Sequence, residues 1–191
     1  MKKNKFSKNW IIKQKRDIYV KKSKLEGYRS RAVYKLQEIN DKFKLIKNNS
    51  LVVDLGAAPG SWSQYISRNF NITKIISIDL KEIEPIKNLI HIKGDFTDEH
   101  QKIKIQKNLG KKADLIISDM AVNTTGNKSV DSLVTGELCI EAMNFACEFL
   151  DKKGSFISKI FMGSTFNEIV ALGKKSFKQV DIFKPPSSRK D

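Results

Sequence analysis

Four aspartates follow short apolar runs of the kind that form buried β-strands. They are Asp54, Asp79, Asp95 and Asp119, each at or directly after the end of its run. Parallel sheets bind ligands at the edge where their strands have carboxyl ends, so we expect these side chains to line one site. A carboxylate such as Asp79 can accept two hydrogen bonds from the ribose diol of an adenosine. Asp95 is then placed to meet the adenine edge.

A glycine turn connects the first of these strands to a helix. Residues 51–62 read Leu-Val-Val-Asp-Leu-Gly-Ala-Ala-Pro-Gly-Ser-Trp, a strand, a tight turn and a helix start. Gly56 and Gly60 let the backbone approach a ligand closely. Ala58 stands where a dinucleotide-binding loop has its second glycine, and the Lys-Ser/Thr pair of a phosphate-binding loop is absent. The loop therefore favours a cofactor without phosphates, and S-adenosylmethionine fits that description.

Strands and helices alternate along the chain, and the strands are continuously apolar. That pattern is typical of a parallel sheet covered by helices on both faces. We predict an α/β, Rossmann-like fold with a mostly parallel central sheet. The predicted helices are Ser30 to about Lys44, one from Ser61, about Asp131 to Leu150, and one from Thr165. The predicted strands are Leu51–Val53 leading to Asp54, Lys74–Asp79, Leu89–Lys93, Ala113–Ser118, Gly154–Ile160 and Phe177–Phe183.

The helix predicted from Ser30 carries a lysine at the border of its buried face. The buried stripe is predicted to consist of Ala32, Leu36, Ile39 and Phe43, which repeat at helical spacing. Lys35 lies about 60° from the middle of that stripe, at about 100° per residue. It could therefore lean over a site at the edge of the core.

Positive charge is concentrated at the start of the chain. Residues 1–50 hold 16 basic and 4 acidic side chains, whereas residues 51–191 hold 20 and 17. A concentrated positive field suits a polyanion such as RNA. We predict one domain over residues 1–191, with a basic leader at 1–29 and a catalytic core at 30–191. No apolar run long enough to cross a membrane or to act as a secretory signal occurs, so a cytoplasmic protein is expected.

Several segments resemble the FtsJ-type 23S ribosomal RNA 2′-O-ribose methyltransferases. They occur in the family's order and extend over most of the chain. They are Ser30–Leu36, Asp54–Tyr65, Gly94–Phe96, Ser118–Ala121, Gly154–Lys159 and Lys184–Arg189. The resemblance implies transfer of a methyl group from S-adenosylmethionine to the 2′-hydroxyl of a uridine in large-subunit ribosomal RNA, aiding ribosome maturation. It also implies a monomer that needs no metal and yields S-adenosylhomocysteine. The cofactor-binding positions that it implies are Gly60, Trp62, Asp79, Asp95 and Asp119, beside the loop glycine Gly56.

The same resemblance implies a catalytic Lys-Asp-Lys-Glu tetrad. Three members map onto Lys35, Asp119 and Lys159. A ribose hydroxyl needs a base, and Lys159 could serve only if its pKa is depressed. Desolvation and the like charge of Lys35 would lower that pKa, while Asp119 would raise it, so the net direction stays open. The family's glutamate and final strand lie beyond Asp191, and we expect the gene product to continue past that residue.

Three other functions remain open from the sequence. A transfer RNA ribose methyltransferase would use the same core, and no motif here specifies the target RNA. A non-catalytic RNA-binding module could keep the fold, although Lys35, Asp119 and Lys159 would then have no purpose. A nicotinamide-dependent oxidoreductase is disfavoured by Ala58 in the glycine loop.

Overall fold

Five parallel strands form the centre of the protein. The computed structural model describes residues 16–120 and 127–189, except for the side chain of Lys128. The strands are β1 (Leu51–Leu55), β2 (Lys74–Asp79), β3 (Leu89–Lys93), β4 (Ala113–Ser118) and β5 (Leu150–Ser158). They lie in the order β3-β2-β1-β4-β5, and every neighbouring pair is parallel. The predicted α/β fold is confirmed.

Six helices are found within the described ranges. They are α1 (Ile18–Leu25), α2 (Val33–Phe43), α3 (Ser61–Asn69), α4 (Glu99–Leu109), α5 (Lys128–Phe149) and α6 (Phe166–Ser176). Of the predicted basic leader, residues 1–15 lie outside the description, and the rest contains α1. Within the described ranges, no helix is both long and apolar enough to cross a membrane.

The two faces of the sheet are covered by different helices because successive strand residues point to opposite sides. On one face, Val53 and its equivalents in β2 and β4 pack against α4 and α5. On the other face, Val52 and its equivalents pack against α2 and α3. All five residues of β1 are buried, as expected for a central strand covered on both sides.

The predicted sixth strand at Phe177–Phe183 is wrong. In the structure this segment forms no strand and follows α6 without regular secondary structure. Its aromatic residues nevertheless pack. Phe177 stacks on Phe156 with ring centroids 5.8 Å apart, and Phe183 meets Phe43 edge-on at 5.7 Å. The two rings of this segment are partly buried, whereas Ile182 is 63% exposed. A strand also needs a ladder partner, and apolar spacing does not reveal one.

Other bounds also differ from the prediction. Strand β5 begins at Leu150, and its pairing with β4 passes from Ala113–Leu150 to Leu115–Ser155, a bulge that includes Gly154. Helix α5 begins at Lys128, capped by the Asn127 side chain. Helix α4 was not predicted, since only Ile105 and Leu109 are buried in it. Helix α2 begins at Val33 rather than Ser30, and its buried residues are Val33, Tyr34, Leu36 and Asn40 rather than the whole predicted stripe.

Phe145 makes a strong test of the α5 face of the core. Its ring is 2% exposed and stacks on Phe149 with centroids 4.3 Å apart. Phe145→Ala should lower the free energy of unfolding by about 3 to 5 kcal/mol through lost burial and a cavity. Ile103→Ala, at a position 62% exposed in neighbouring α4, should change it by less than about 0.5 kcal/mol. Urea titration of both variants checks this, and equal effects would contradict the packing described.

Candidate active site

The carboxyl ends of the five strands form a single row of polar groups. Because the strand order is β3-β2-β1-β4-β5, that edge presents in turn Asp95, Asp79, the loop after β1, Asp119 and Lys159. The order reverses between β1 and β4, where open parallel sheets have their ligand crevice. The structure thus brings the aspartates predicted at strand ends onto one edge.

Strand register places Asp119 beside Lys159. The β4–β5 ladder pairs Ser118 with Ser158. The backbone N–H of Lys159 continues the ladder by donating to the Ser118 carbonyl at 2.9 Å. Asp119 and Lys159, which directly follow these two strands, are therefore held side by side, although they are 40 positions apart in the chain.

Two lysines share the Asp119 carboxylate. Lys35 Nζ donates to Asp119 Oδ1 at 2.9 Å and to Oδ2 at 3.1 Å. Lys159 Nζ lies 2.7 Å from the Asp119 backbone carbonyl oxygen and 3.1 Å from Oδ1. The side chains of Lys35, Asp119 and Lys159 are 24%, 18% and 19% exposed, so the cluster is shielded but open to a substrate. Lys35 reaches it from α2, as its position beside the buried stripe allowed.

The pKa of Lys159 is lowered from that of an ordinary lysine. Burial is the main cause, since it penalises the charged amine. The Asp119 carboxylate opposes the change in pKa, and the like charge of Lys35 adds to it. The net direction, which the sequence left open, is therefore downward, toward an amine that is neutral at lower pH.

The loop after β1 folds back over the strand ends. Gly56 and Gly60 have φ of 66° and 92°, which L-residues with side chains rarely adopt. Asp79 accepts the Ala58 N–H on one oxygen and the Lys81 N–H on the other, each at 2.9 Å. Since a carboxylate offers about four acceptor sites, Asp79 can still accept hydrogen bonds from a ligand diol.

Arg29 holds this loop from outside and was not found by the sequence reasoning. Its guanidinium donates to the carbonyl of Pro59 at 2.9 Å and to those of Glu84 and Pro85 at 2.8 and 3.2 Å. It thereby ties the glycine loop to the segment after β2. A Cβ at Gly60 would lie 2.6 Å from this guanidinium. In the sequence, Arg29 is one of many basic residues of the leader, and no neighbouring residue indicates that it contacts the loop.

Asp95 and Trp62, two of the predicted cofactor-binding residues, differ in their exposure to solvent. Asp95 is exposed after β3, and its Oδ1 accepts the N–H and the hydroxyl of Thr97. Trp62 is 4% exposed, and its indole donates to the Ala32 carbonyl at 2.8 Å within the core. The indole is therefore structural. Trp62 could still offer a cofactor its backbone N–H, in the first turn of α3, where helices leave such groups without an intrahelical partner.

Asp54 is buried beneath the loop. It is 2% exposed, and Ser63 Oγ donates to its Oδ2 at 2.6 Å. Burial raises the pKa of this carboxyl to about 7, with further increases from Asp119 and Asp79 and an opposing decrease from Ser63. The negative charges of Asp119 and Asp79 thus favour the protonated form of Asp54 beneath the loop.

Comparison with known proteins identifies the fold and its relatives. Residues 28–191 match the model of the family described as FtsJ-like methyltransferase. A ribosomal RNA large subunit methyltransferase E of Pelagibacter ubique is 62% identical over 191 residues, covering all of this chain and 94% of the relative. Its counterpart in Rickettsia akari is 49% identical, over 97% and 84%. A crystal structure described as a ribosomal RNA methyltransferase of Plasmodium falciparum superposes with a TM-score of 0.76 at 36% identity, covering 84% of this chain and 93% of that one.

Gly56 allows a test of the loop's backbone geometry. An added Cβ would lie 2.0 Å from Met120 Cγ, in addition to the positive φ. Gly110 has a similar φ of 72° but open space around its Cα. Gly110→Ala should therefore lose only the roughly 1 to 2 kcal/mol of a left-handed alanine, and Gly56→Ala more than that. Chemical denaturation measures both, and equal losses would mean that Met120 does not close on the loop.

The raised pKa of Asp54 predicts that the stability of the fold depends on pH. With a folded pKa of about 7 against an ordinary 3.8, the folded state binds more protons than the unfolded state between those values. Stability from this group therefore falls as pH rises through that window. In Asp54→Asn, whose amide oxygen can still accept from Ser63, the difference in unfolding free energy between pH 5 and pH 8 should shrink.

The control for that experiment is Glu137→Gln, an exposed acid of α5, which should keep the wild-type difference. Urea titrations at both pH values supply the measurement. If Asp54→Asn retains the full wild-type difference, the buried carboxyl is ionised throughout this range.

Proposed function

Because the chain belongs to the FtsJ-like methyltransferase family, we propose that it methylates a ribose 2′-hydroxyl of large-subunit ribosomal RNA with S-adenosylmethionine as donor. The observation that carries the proposal is the shared contact of Lys35 and Lys159 with Asp119. A 2′-hydroxyl is a poor nucleophile at neutral pH, so its methylation needs a positioned base. This cluster supplies one next to the glycine loop.

The residues around the loop fit the cofactor. S-adenosylmethionine carries a positive sulfonium and an ammonium group, which suit a crevice bordered by the Asp79 carboxylate. Asp79 would hold the ribose diol with its remaining acceptor sites, and exposed Asp95 would meet the adenine. The Trp62 N–H at the start of α3 is favourable for the carboxylate of the methionine part. Gly56 and Gly60 keep the backbone free of side chains that would fill the crevice.

A nucleotide cofactor fits less well. Ala58 stands where a dinucleotide-binding loop has the glycine that lets its backbone approach a pyrophosphate. Arg29, the guanidinium beside the loop, already donates to three backbone carbonyls. This favours methyl transfer over the nicotinamide-dependent alternative.

We propose separate tasks for the two lysines. The bound cofactor supplies an electrophilic methyl group. Lys159 Nζ makes two contacts with Asp119, to the backbone oxygen and to Oδ1. A neutral amine satisfies both with its two N–H groups and keeps its lone pair for the 2′-hydroxyl proton. Lys35 stays on both carboxylate oxygens, where it compensates the Asp119 charge and lowers the pKa of Lys159.

The target RNA is inferred from relatives. Relatives from Pelagibacter ubique and Rickettsia akari are both named ribosomal RNA large subunit methyltransferases. This favours ribosomal RNA over transfer RNA. Intact Lys35, Asp119 and Lys159 in one shielded cluster favour an enzyme over a non-catalytic RNA-binding module.

The proposal is tested by transfer of a labelled methyl group. Large ribosomal subunits lacking 2′-O-methylation and unmodified transfer RNA are each incubated with the protein and labelled S-adenosylmethionine, and the modified nucleotide is mapped. We expect label on a single ribose 2′-oxygen of the large-subunit RNA. Label on transfer RNA alone would contradict the proposed target. Absence of label from both would make the activity wrong.

Lys159→Met removes the proposed base and keeps most of the side-chain volume. The methyl-transfer rate at saturating RNA and cofactor should fall by about 10² to 10⁴, the usual contribution of a general base. Cofactor affinity, measured by calorimetry, should change little. The matched control is Lys153→Met, an exposed lysine near the opposite end of the same strand, which should keep the wild-type rate. A Lys159→Met protein with most of its rate would remove Lys159 from this role.

A further inference from the structure

Residues 183–189, here called the C-terminal strap, lie along the outer side of α2. Phe183 packs edge-on against Phe43 at the end of that helix, and Lys42 Nζ sits 4.4 Å from the Phe183 ring centre. Further along the strap, Ser187 reaches the middle of α2. The strap therefore runs antiparallel to the helix, from its last residue toward its first.

Ser187 is the most tightly held residue of the strap. It is 1% exposed. Its N–H donates to Glu38 Oε2 at 2.9 Å, and its hydroxyl donates to the same oxygen at 2.7 Å. Its carbonyl accepts from the Arg31 guanidinium, which also pairs with Asp17, the N-cap of α1. Glu38 and Arg31 thus bind the strap from two positions on and before α2.

Lys35 lies between these two contacts. Lys35 and Glu38 are three residues apart on α2, a spacing that puts them on neighbouring turns of one helical face. Arg31 lies in the turn directly before the helix. The far end of Lys35 is hydrogen bonded to Asp119. Along the chain, Lys35 therefore lies between the two residues that bind the strap, Arg31 before the helix and Glu38 within it.

Directional hydrogen bonds also hold α2 at Ala32, Tyr34 and Asn40, and the bonds from Ser187 add one at Glu38, one turn from Lys35. Val33, Tyr34 and Leu36 bury the helix against the sheet, but apolar burial is non-directional and tolerates small sliding. Hydrogen bonds to a charged carboxylate are short and directional. A displacement of about 1 Å would be enough to remove Lys35 from Asp119, and displacements of that size can reduce rates about 10²-fold.

We propose that the contact between Ser187 and Glu38 is a positioning device that holds the Lys35 ammonium on Asp119, beside Lys159. Glu38 and Ser187 are positioning residues, since they act through Lys35. The inference rests on the proposed function for its effect on rate. Its effect on Lys159 itself does not depend on which RNA is methylated.

Glu38→Ala removes all of the bonds from Ser187 to α2. Around the Lys159 amine, the described residues place Asp119 from β4, Lys35 from α2 and the ring of Phe161 after β5. If Lys35 moves away, Lys159 loses a like charge and its pKa should rise. We therefore expect a higher titration midpoint of Lys159 in ¹³C-lysine NMR spectra of the free protein. The methyl-transfer rate constant kcat should fall at least about tenfold, with cofactor affinity unchanged.

Three further variants make the test specific. Ser187→Ala keeps the hydrogen bond from its backbone N–H to Glu38 and should raise the Lys159 midpoint by less than Glu38→Ala does. It also provides the test if Glu38→Ala does not fold. Ser187→Thr retains the hydroxyl and should restore wild-type behaviour. Ser188→Ala removes a neighbouring strap hydroxyl that makes no hydrogen bond to Glu38, and should change neither quantity.

A merely structural contact would give another result. It would lower the melting temperature of the folded Glu38→Ala protein while leaving the Lys159 midpoint at its wild-type value, and that outcome overturns the proposal. An unchanged midpoint in Ser187→Ala does the same if Glu38→Ala does not fold. Failure of the wild-type protein to methylate RNA would contradict the proposed function instead, and the Lys159 titration would still decide about the strap.

Discussion

Two ammonium groups meet at a single, largely shielded carboxylate, and the site depends on that arrangement. Asp119 compensates Lys35 through both side-chain oxygens and also contacts Lys159. One negative charge cannot balance two buried positive charges, so one of the amines is pressed toward its neutral form. The side chain of Lys159 is 19% exposed against 24% for that of Lys35, and the pKa of Lys159 is lowered mainly by burial. The cluster thus converts an ordinary lysine into a candidate base.

The fold brings these charges together from distant parts of the chain. Parallel pairing of β4 with β5 puts residues 119 and 159 side by side, because the ladder register continues one residue past Ser118 and Ser158. Helix α2 covers the opposite face from α5 and extends Lys35 over the same edge. The glycine loop and Asp79 lie on the other side of the β1–β4 crevice, so the proposed cofactor site and the proposed base border the same crevice from two sides.

The predictability of the structure differs between its parts. Strands β2, β3 and β4 have the predicted bounds, because short, mainly apolar runs with an aspartate at or within two residues of their end stand out in an alternating α/β pattern. The strand predicted at 177–183 was wrong, because the aromatic residues of this segment are partly buried but have no neighbouring strand to pair with. The direction of the Lys159 pKa could not be predicted, because it depends on three-dimensional burial. Arg29 and Glu38 carry no local motif, and their contacts join residues 30 to 149 positions apart.

The central claim is that neutral Lys159 removes the 2′-hydroxyl proton. Its most direct test is the pH dependence of the single-turnover rate of methyl transfer, since a single turnover excludes product release. The account predicts a rate that rises with pH to a midpoint below the roughly 10.4 of a free lysine. In Lys35→Met, which lacks the like charge, that midpoint should move upward. A rate that does not rise with pH, or a midpoint at or above that of a free lysine, would contradict the account.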